Sequence, residues 1–157
     1  MSVKAIPDGY YSLTPYLVIS GAAEAIEFYK KAFGAEETIR MPGPGGRIMH
    51  AEVRIGNSTL MLSDENPERG YLSPKSRGGH TSSVMLYTED VDATFNKAVA
   101  AGAKADMPPT DMFWGDRMAQ ATDSFGHTWT FAQHVLDLTP EEMAKASAEA
   151  AKQYGKQ

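Results

Sequence analysis

Leu13-Thr14-Pro15-Tyr16-Leu17-Val18-Ile19, then Ala22 to Lys31, then Phe33-Gly34-Ala35, is echoed by Thr81-Ser82-Ser83-Val84-Met85-Leu86-Tyr87, Val91 to Ala100 and Ala101-Gly102-Ala103. A shift of 68 residues lays strand on strand, helix on helix and Gly34 on Gly102. A shift of 70 lays Gly56-Asn57-Ser58 on Gly126-His127-Thr128, each ahead of an apolar strand. An internal repeat of this length marks a duplicated supersecondary unit. The unit reads β-α-β-β-β, so the fold class is α+β, with two tandem βαβββ modules whose curved mixed sheets surround a cleft.

Working outward, Leu13 to Ser20 reads as the first strand. Ala23, Ile26, Phe28, Tyr29 and Phe33 recur at helical spacing, and Gly34 stands where a left-handed C-cap is wanted. Glu36 to Met41 and Arg47 to Ile55 read as strands around the turn Pro42-Gly43-Pro44-Gly45-Gly46. In the second of these, Met49, Ala51, Val53 and Ile55 alternate with Ile48, His50, Glu52 and Arg54, so one face packs on a helix and the other meets water or a cavity. Thr59 to Ser63 closes the first module. The second module repeats strand, helix (capped by Asp90) and three strands near 103–106, 116–122 and 128–134. Thr139-Pro140-Glu141-Glu142 opens a final helix with an N-cap Thr, an N1 Pro and a capping-box Glu142. The expected divisions are a lead-in over 1–9, a first module over 10–65, a linker over 66–80, a second module over 81–135, and a C-terminal helix and tail over 136–157.

With 157 residues, 42% of them hydrophobic and 22% charged, the chain is long enough to bury roughly two-thirds of its unfolded surface. A net charge of −5 without a basic block argues against nucleic acid or an anionic membrane as partner. The absence of cysteine excludes disulfides, thiolate catalysis and zinc-thiolate sites. With no signal-peptide pattern and no apolar run of about 18 residues, a cytoplasmic location is expected.

Pro15-Tyr16-Leu17, Ala25-x-x-Phe28-Tyr29-x-x-x-Phe33-Gly34-Ala35, His50-Ala51-Glu52, Leu62-Ser63-Asp64-Glu65, Trp114-Gly115-Asp116-Arg117 and Asp123-x-Phe125-Gly126-His127-x-Trp129 resemble the PhnB-like branch of the vicinal oxygen chelate superfamily, which includes glyoxalases, bleomycin resistance proteins and extradiol dioxygenases. The resemblance implies a glyoxalase-like fold, commonly a homodimer, with a small-molecule cleft on the curved sheets. It also implies metal-ligand positions on the first and last strand of each module. On this chain these fall at Thr14, Leu60, Ser82 and Thr130, and no immediate neighbour is a usual ligand either. Hydroxyls with a leucine are too weak a set for a divalent first-row metal, so no metal and no cofactor is expected there.

Two other stretches carry chemistry. His50 and Glu52 lie two apart on one strand and share a face, which makes them the acid–base candidates, or else a cross-strand pair in solvent. In Trp114-Gly115-Asp116-Arg117, Trp114 is a candidate pocket wall and Arg117 a candidate clamp for a carboxylate or phosphate. Adjacent Asp116 and Arg117 point to opposite faces of a regular strand, so only one of them lines a cleft without a bulge. The alternative is an Asp-Arg pair stabilising an edge. Asp123 to His127 reads as a hairpin turn rather than a catalytic loop. Arg69-Gly70-Tyr71 reads as plain connection, with folding over a cleft the other possibility. No nucleophile elbow, phosphate loop or dinucleotide fingerprint is present.

Two functions stay open. One is a metal-free protein binding a small polar or aromatic molecule, with Thr14, Tyr16, Leu60, Ser82, Trp114, Asp116, Arg117 and Thr130 around the ligand. The other is a lyase or isomerase using His50 and Glu52, or a displaced divalent metal. A homodimer is expected in either case.

Overall fold

The computed structural model describes residues 3–154; Met1, Ser2 and residues 155–157 of the expected lead-in and tail lie outside the described residues. The first module comprises β1 (Tyr16–Ile19), α1 (Ala22–Phe33), β2 (Glu36–Pro42), β3 (Ile48–Ile55) and β4 (Ser58–Asp64). A four-residue helix, α2 (Pro74–Arg77), lies between the modules. The second comprises β5 (Ser83–Tyr87), α3 (Val91–Ala100), β6 (Lys104–Asp111), β7 (Asp116–Thr122) and β8 (Thr128–His134), and α4 (Pro140–Tyr154) follows. Each module folds into its own four-stranded mixed sheet, in the orders β1-β4-β3-β2 and β5-β8-β7-β6. The first strand runs parallel to the last in both, and the other pairs are antiparallel. These are the two tandem βαβββ modules that the repeat implied, followed by the C-terminal helix that the Thr139-Pro140-Glu141-Glu142 start signal implied.

The helix ends form as the sequence indicates. Gly34 closes α1 in the left-handed region at φ 65. The Asp90 side chain accepts from Ala93 N–H at 2.8 Å to start α3. At α4, Thr139 N–H donates to Glu142 at 2.8 Å while Glu142 N–H donates to Thr139 Oγ1 at 3.2 Å, the reciprocal capping box. That helix keeps Met143, Ala146 and Ala150 half-buried and most of its surface exposed. No helix among the described residues is long and apolar enough to cross a membrane.

Several boundaries differ from expectation. The first strand is only four residues long, because Pro15 has no N–H to give a ladder. β6 runs on through Pro108 and Pro109 to Asp111, which an edge strand with shifted register tolerates. Met49 is 63% exposed and Ile48 is buried, reversing the expected pattern at the start of β3, where the strand emerges from the Gly43–Arg47 loop.

One apolar core joins the modules. α1 buries Ala22, Ala25, Ile26 and Tyr29 against Leu17, Leu62, Ala51 and Val53 of its own sheet. It also packs on α3, and its Phe33 ring lies 4.6 Å from Trp129 and 5.6 Å from Phe131 on β8. The buried Asp123 carboxylate fastens this contact. Its Oδ2 accepts from Tyr29 Oη and Trp129 Nε1, both at 3.0 Å, and its Oδ1 accepts from the backbone of Phe125 and His127, both at 2.9 Å. Burial and the Asp123 charge push the Tyr29 phenol well above its ordinary value, so it remains a donor. Residues 123–127 thus form a turn, as the sequence indicated, and that turn also locks one module to the other.

Candidate functional site

Pairing register assigns the faces. Leu17, Leu60, Leu62, Ala51 and Val53 form the helix side of the first sheet, and Tyr16, Met61, Glu52 and Ile39 form one row across its opposite, open side. The matching row of the second sheet is Met85, Thr130, Gln120 and Met107. The structural repeat therefore follows a shift of 69 for the first and last strands. The same shift lays Ala22 on Val91, the first residues of α1 and α3, and Asp64 on Gln133, whose side chains accept from those same N–H groups at 2.8 and 3.3 Å.

Shifts of 68 and 70 straddle this value and invert the alternation. Leu60 accordingly points into the core at 4% exposure, and Ser82 precedes β5, with Ser83 on its open side. The open-side positions nearest the implied ligand set are Tyr16, Met61, Met85 and Thr130, with Thr59, Ser83 and Thr128 in the next row and Thr14 just before β1. Hydroxyls and thioethers do not make a site for a divalent first-row metal. Among the described residues, no three His, Asp or Glu side chains gather as a metal cluster.

The first open face carries a polar chain instead. His50 Nε2 donates to Glu52 Oε1 at 2.9 Å, and Tyr10 Oη donates to the other carboxylate oxygen. Tyr16 Oη lies 3.4 Å from His50 Nδ1, a long contact, with the rings 5.7 Å apart. Glu52 is only 5% exposed, so its charge needs these two donors. With Nε2 turned to the carboxylate, the other ring nitrogen, Nδ1, faces Tyr16. His50 and Glu52 are therefore an ordered pair on one face. Tyr10 was missed: it directly follows the expected lead-in, and only its distance of 42 residues from Glu52, closed by the fold, brings it in.

Tyr16 also floors a cavity of about 710 Å³ with Val18 and Ser63, walled by Arg47 of the β2–β3 loop and by Arg69 and Tyr71. The last two belong to a small hairpin in which Asn66 and Tyr71 exchange backbone hydrogen bonds of 2.8 and 3.0 Å. The Arg69-Gly70-Tyr71 segment thus folds over the first sheet rather than simply connecting the modules.

The second open face carries a similar constellation at a different place. Asp116 accepts from His134 Nδ1 at 2.8 Å and from Tyr87 Oη at 3.0 Å. His134 first, then Tyr87 and Trp114, hold the Asp116 carboxyl below its ordinary value. Asp137, at 3.0 Å from Nε2, and then Asp116 raise that of His134. Trp114 packs edge-on against Phe113 in the preceding turn. Arg117 does not join this face. Its fork grips Asp92 of α3 at 2.7 and 2.9 Å, and its remaining nitrogen reaches Asp111 at 2.8 Å, so all three nitrogens are engaged on the helix side. Thr130 accepts from Gln120 at 3.2 Å. Thr14 and Leu60 border a separate cavity of about 590 Å³ between the modules, with Leu13, Met85 and Tyr87. The predicted residues therefore fall into three places, with Ser82 and Arg117 outside them.

The profile of the Glyoxalase/Bleomycin resistance protein/Dioxygenase superfamily matches residues 13–131. An uncharacterised protein of Mycobacterium tuberculosis is 41% identical over 138 residues, covering 86% of this chain and 81% of its own length. The crystal structure of TioX from a Micromonospora species superposes with a TM-score of 0.62 at 26% identity, over 82% of this chain and 100% of that one. The PhnB protein from Bacillus cereus shares the fold at a TM-score of 0.60 and 18% identity, over 78% of this chain and 99% of its own. The duplicated βαβββ architecture and the match over most of its length make this chain a member of the Glyoxalase/Bleomycin resistance protein/Dioxygenase superfamily.

Proposed function

We propose that this chain binds a small polar or aromatic molecule on the open face of its first sheet, without the superfamily's usual metal. The observation carrying the proposal is the Tyr10–Glu52–His50–Tyr16 chain, which reaches a cavity of about 710 Å³ through Tyr16 on its floor. Pockets of this size with a few fixed polar groups on an apolar floor suit small ligands. The test is a fragment screen by NMR on chelator-treated protein. Fragments that shift the Tyr16 and His50 signals are expected, with no further change when nickel, zinc, manganese or iron(II) is added. Binding that requires one of these ions would refute the metal-free part.

A second reading is acid–base catalysis by a lyase or isomerase. The specific observation behind it is the orientation of His50 by Glu52, which turns Nδ1 toward Tyr16 of the cavity floor. His50→Ala is then expected to stay folded, since Ala51 and Val53 hold β3 to α1, and to abolish turnover while sparing ligand binding. Loss of the cooperative melt would show a structural role for His50 and sink both uses of it. A cytoplasmic homodimer completes the proposal. Its support is the exposure of Met41, Met85 and Tyr87 on the open faces, and sedimentation of a monomer at micromolar concentration would contradict it.

A further inference from the structure

We propose that the first-sheet cavity takes a small organic oxyanion, a carboxylate or phosphate on a flat or apolar body, clamped between Arg47 and Arg69. This rests on the pocket proposed above and specifies the chemistry of its ligand. Among the described residues, Lys4, Lys30, Arg40, Arg54, Lys104 and Arg117 hold carboxylates in ion pairs, whereas Lys31, Lys75, Arg77, Lys97, Lys145 and Lys152 do not and lie outside the lining of this cavity. Arg47 and Arg69 are in no such pair, yet both wall the same cavity, from opposite segments of chain.

Acidic groups stand in that wall too, and each already accepts hydrogen bonds from this chain. Asp64 accepts three backbone N–H groups, from Gly21 at 3.1 Å, Ala22 at 2.8 Å and Ile48 at 2.7 Å, so it serves as the cap of α1. Glu65 accepts from Ser76 and Ser73, which hold its carboxyl below the ordinary range. The two guanidinium groups are left with free donors, and such forks match carboxylate and phosphate oxygens in geometry as well as charge.

Both arginines sit on stiff supports. Gly43 N–H donates to Arg47 O at 2.7 Å and closes the β2–β3 loop, and a Cβ on Gly43 would come within 2.6 Å of Met49 Cγ. Arg69 ends a single 3-10 turn, Pro67–Arg69, inside the hairpin closed by Asn66 and Tyr71. Tyr16, Val18, Ile48 and Tyr71 supply apolar and aromatic surface beside the cations, which suits an aromatic or branched body attached to the anionic group. The anion held at the arginines would place that body along Tyr16, on the side where His50 Nδ1 lies.

The experiment titrates the full chain with phenyl phosphate, benzoate and benzamide, followed by calorimetry and by the Tyr16 and His50 NMR signals. The two anions are expected to bind at least about tenfold more tightly than the neutral amide, less so as salt is raised. The double variant Arg47→Gln/Arg69→Gln should melt like the parent and lose that preference. If the double variant fails to fold, Arg47→Lys/Arg69→Lys keeps the charge and removes the fork, and should weaken anion binding in its place. Whichever anion binds more tightly identifies the group. Benzamide binding as tightly as the anions at Tyr16 would overturn the oxyanion proposal and leave the pocket standing. Anion preference that persists unchanged in the double variant would overturn it equally. If none of the three moves the Tyr16 or His50 signals, the pocket falls with it.

Discussion

Tyr29→Phe removes one oxygen from the contact that locks α1 of the first module onto the second. The Tyr29 side chain is fully buried, and its hydroxyl donates at 3.0 Å to Asp123, itself 4% exposed. A hydrogen bond to a buried charged acceptor contributes about 1.5–3 kcal/mol. Asp123 would keep three donors, the Trp129 indole and two backbone N–H groups, so the carboxylate is not orphaned. The lower part of the range, about 1.5–2 kcal/mol, is therefore expected. Asp123→Ala is the harsher counterpart: it strands the Tyr29 hydroxyl and the Trp129 N–H in the core, at about 1–3 kcal/mol each. For a chain of 157 residues, 1 kcal/mol corresponds to about 2–4 °C, so Tyr29→Phe should lower the melting temperature by about 3–8 °C. Guanidinium unfolding followed by tryptophan fluorescence would measure the change, with an unchanged slope confirming an unaltered unfolding transition. Tyr16→Phe is the control; its long contact to His50 sits at the surface, and about 0.5 kcal/mol or less is expected. A Tyr29→Phe protein indistinguishable from the parent would refute the lock and, with it, the docking of α1 on β8.

Three more outcomes follow from the geometry. The folded value of His134 is raised above 6.5, so its contribution is full below that pH and is lost as pH rises through the folded value; that of Asp116 is lowered below 3.8, so its contribution is lost only as pH falls through that lower value. The stability advantage of the parent over His134→Ala should therefore be greatest between 3.8 and 6.5 and fade in alkali, and a difference independent of pH would rule the ion pair out. Gly115→Ala would force φ +97 on an alanine and bring its Cβ within 2.1 Å of Leu136 O, so unfolding titrations should show a loss of about 2–4 kcal/mol. Gly34→Ala, at φ +65 with open space around it, should lose only about 1 kcal/mol, and equal losses would show that the crowding at Gly115 is unimportant. Arg117→Gln should leave phenyl phosphate affinity within about twofold, because its fork faces Asp92 of α3; a larger drop in calorimetry would return Arg117 to the site.

The element order was readable because its signals are local. Strand alternation, the helical spacing of Ile26, Tyr29 and Phe33, the caps at Gly34, Asp90 and Thr139, and the recurrence of the whole unit lie within short windows of chain. Sharing a face on one strand is local as well, which is why His50 and Glu52 could be paired before their hydrogen bond was seen. Which face each strand turns outward is not local. It depends on register, and a slip of one residue exchanges every side chain between core and solvent. The shifts of 68 and 70 kept the glycines aligned, whereas the first and last strands of the sheets repeat at 69, which puts Leu60 in the core and Met61 on the open side.

The sequence by itself determined the duplicated βαβββ architecture and the placing of His50 and Glu52 on one face of a strand. Tertiary structure alone decided the rest: Tyr10 against Glu52, Arg117 occupied by Asp92, Tyr29 held by Asp123 across 94 residues, and Arg47 and Arg69 on one cavity. Propensity and periodicity act between near neighbours in the chain, whereas a charged side chain is drawn to whichever partner packing brings within about 3 Å.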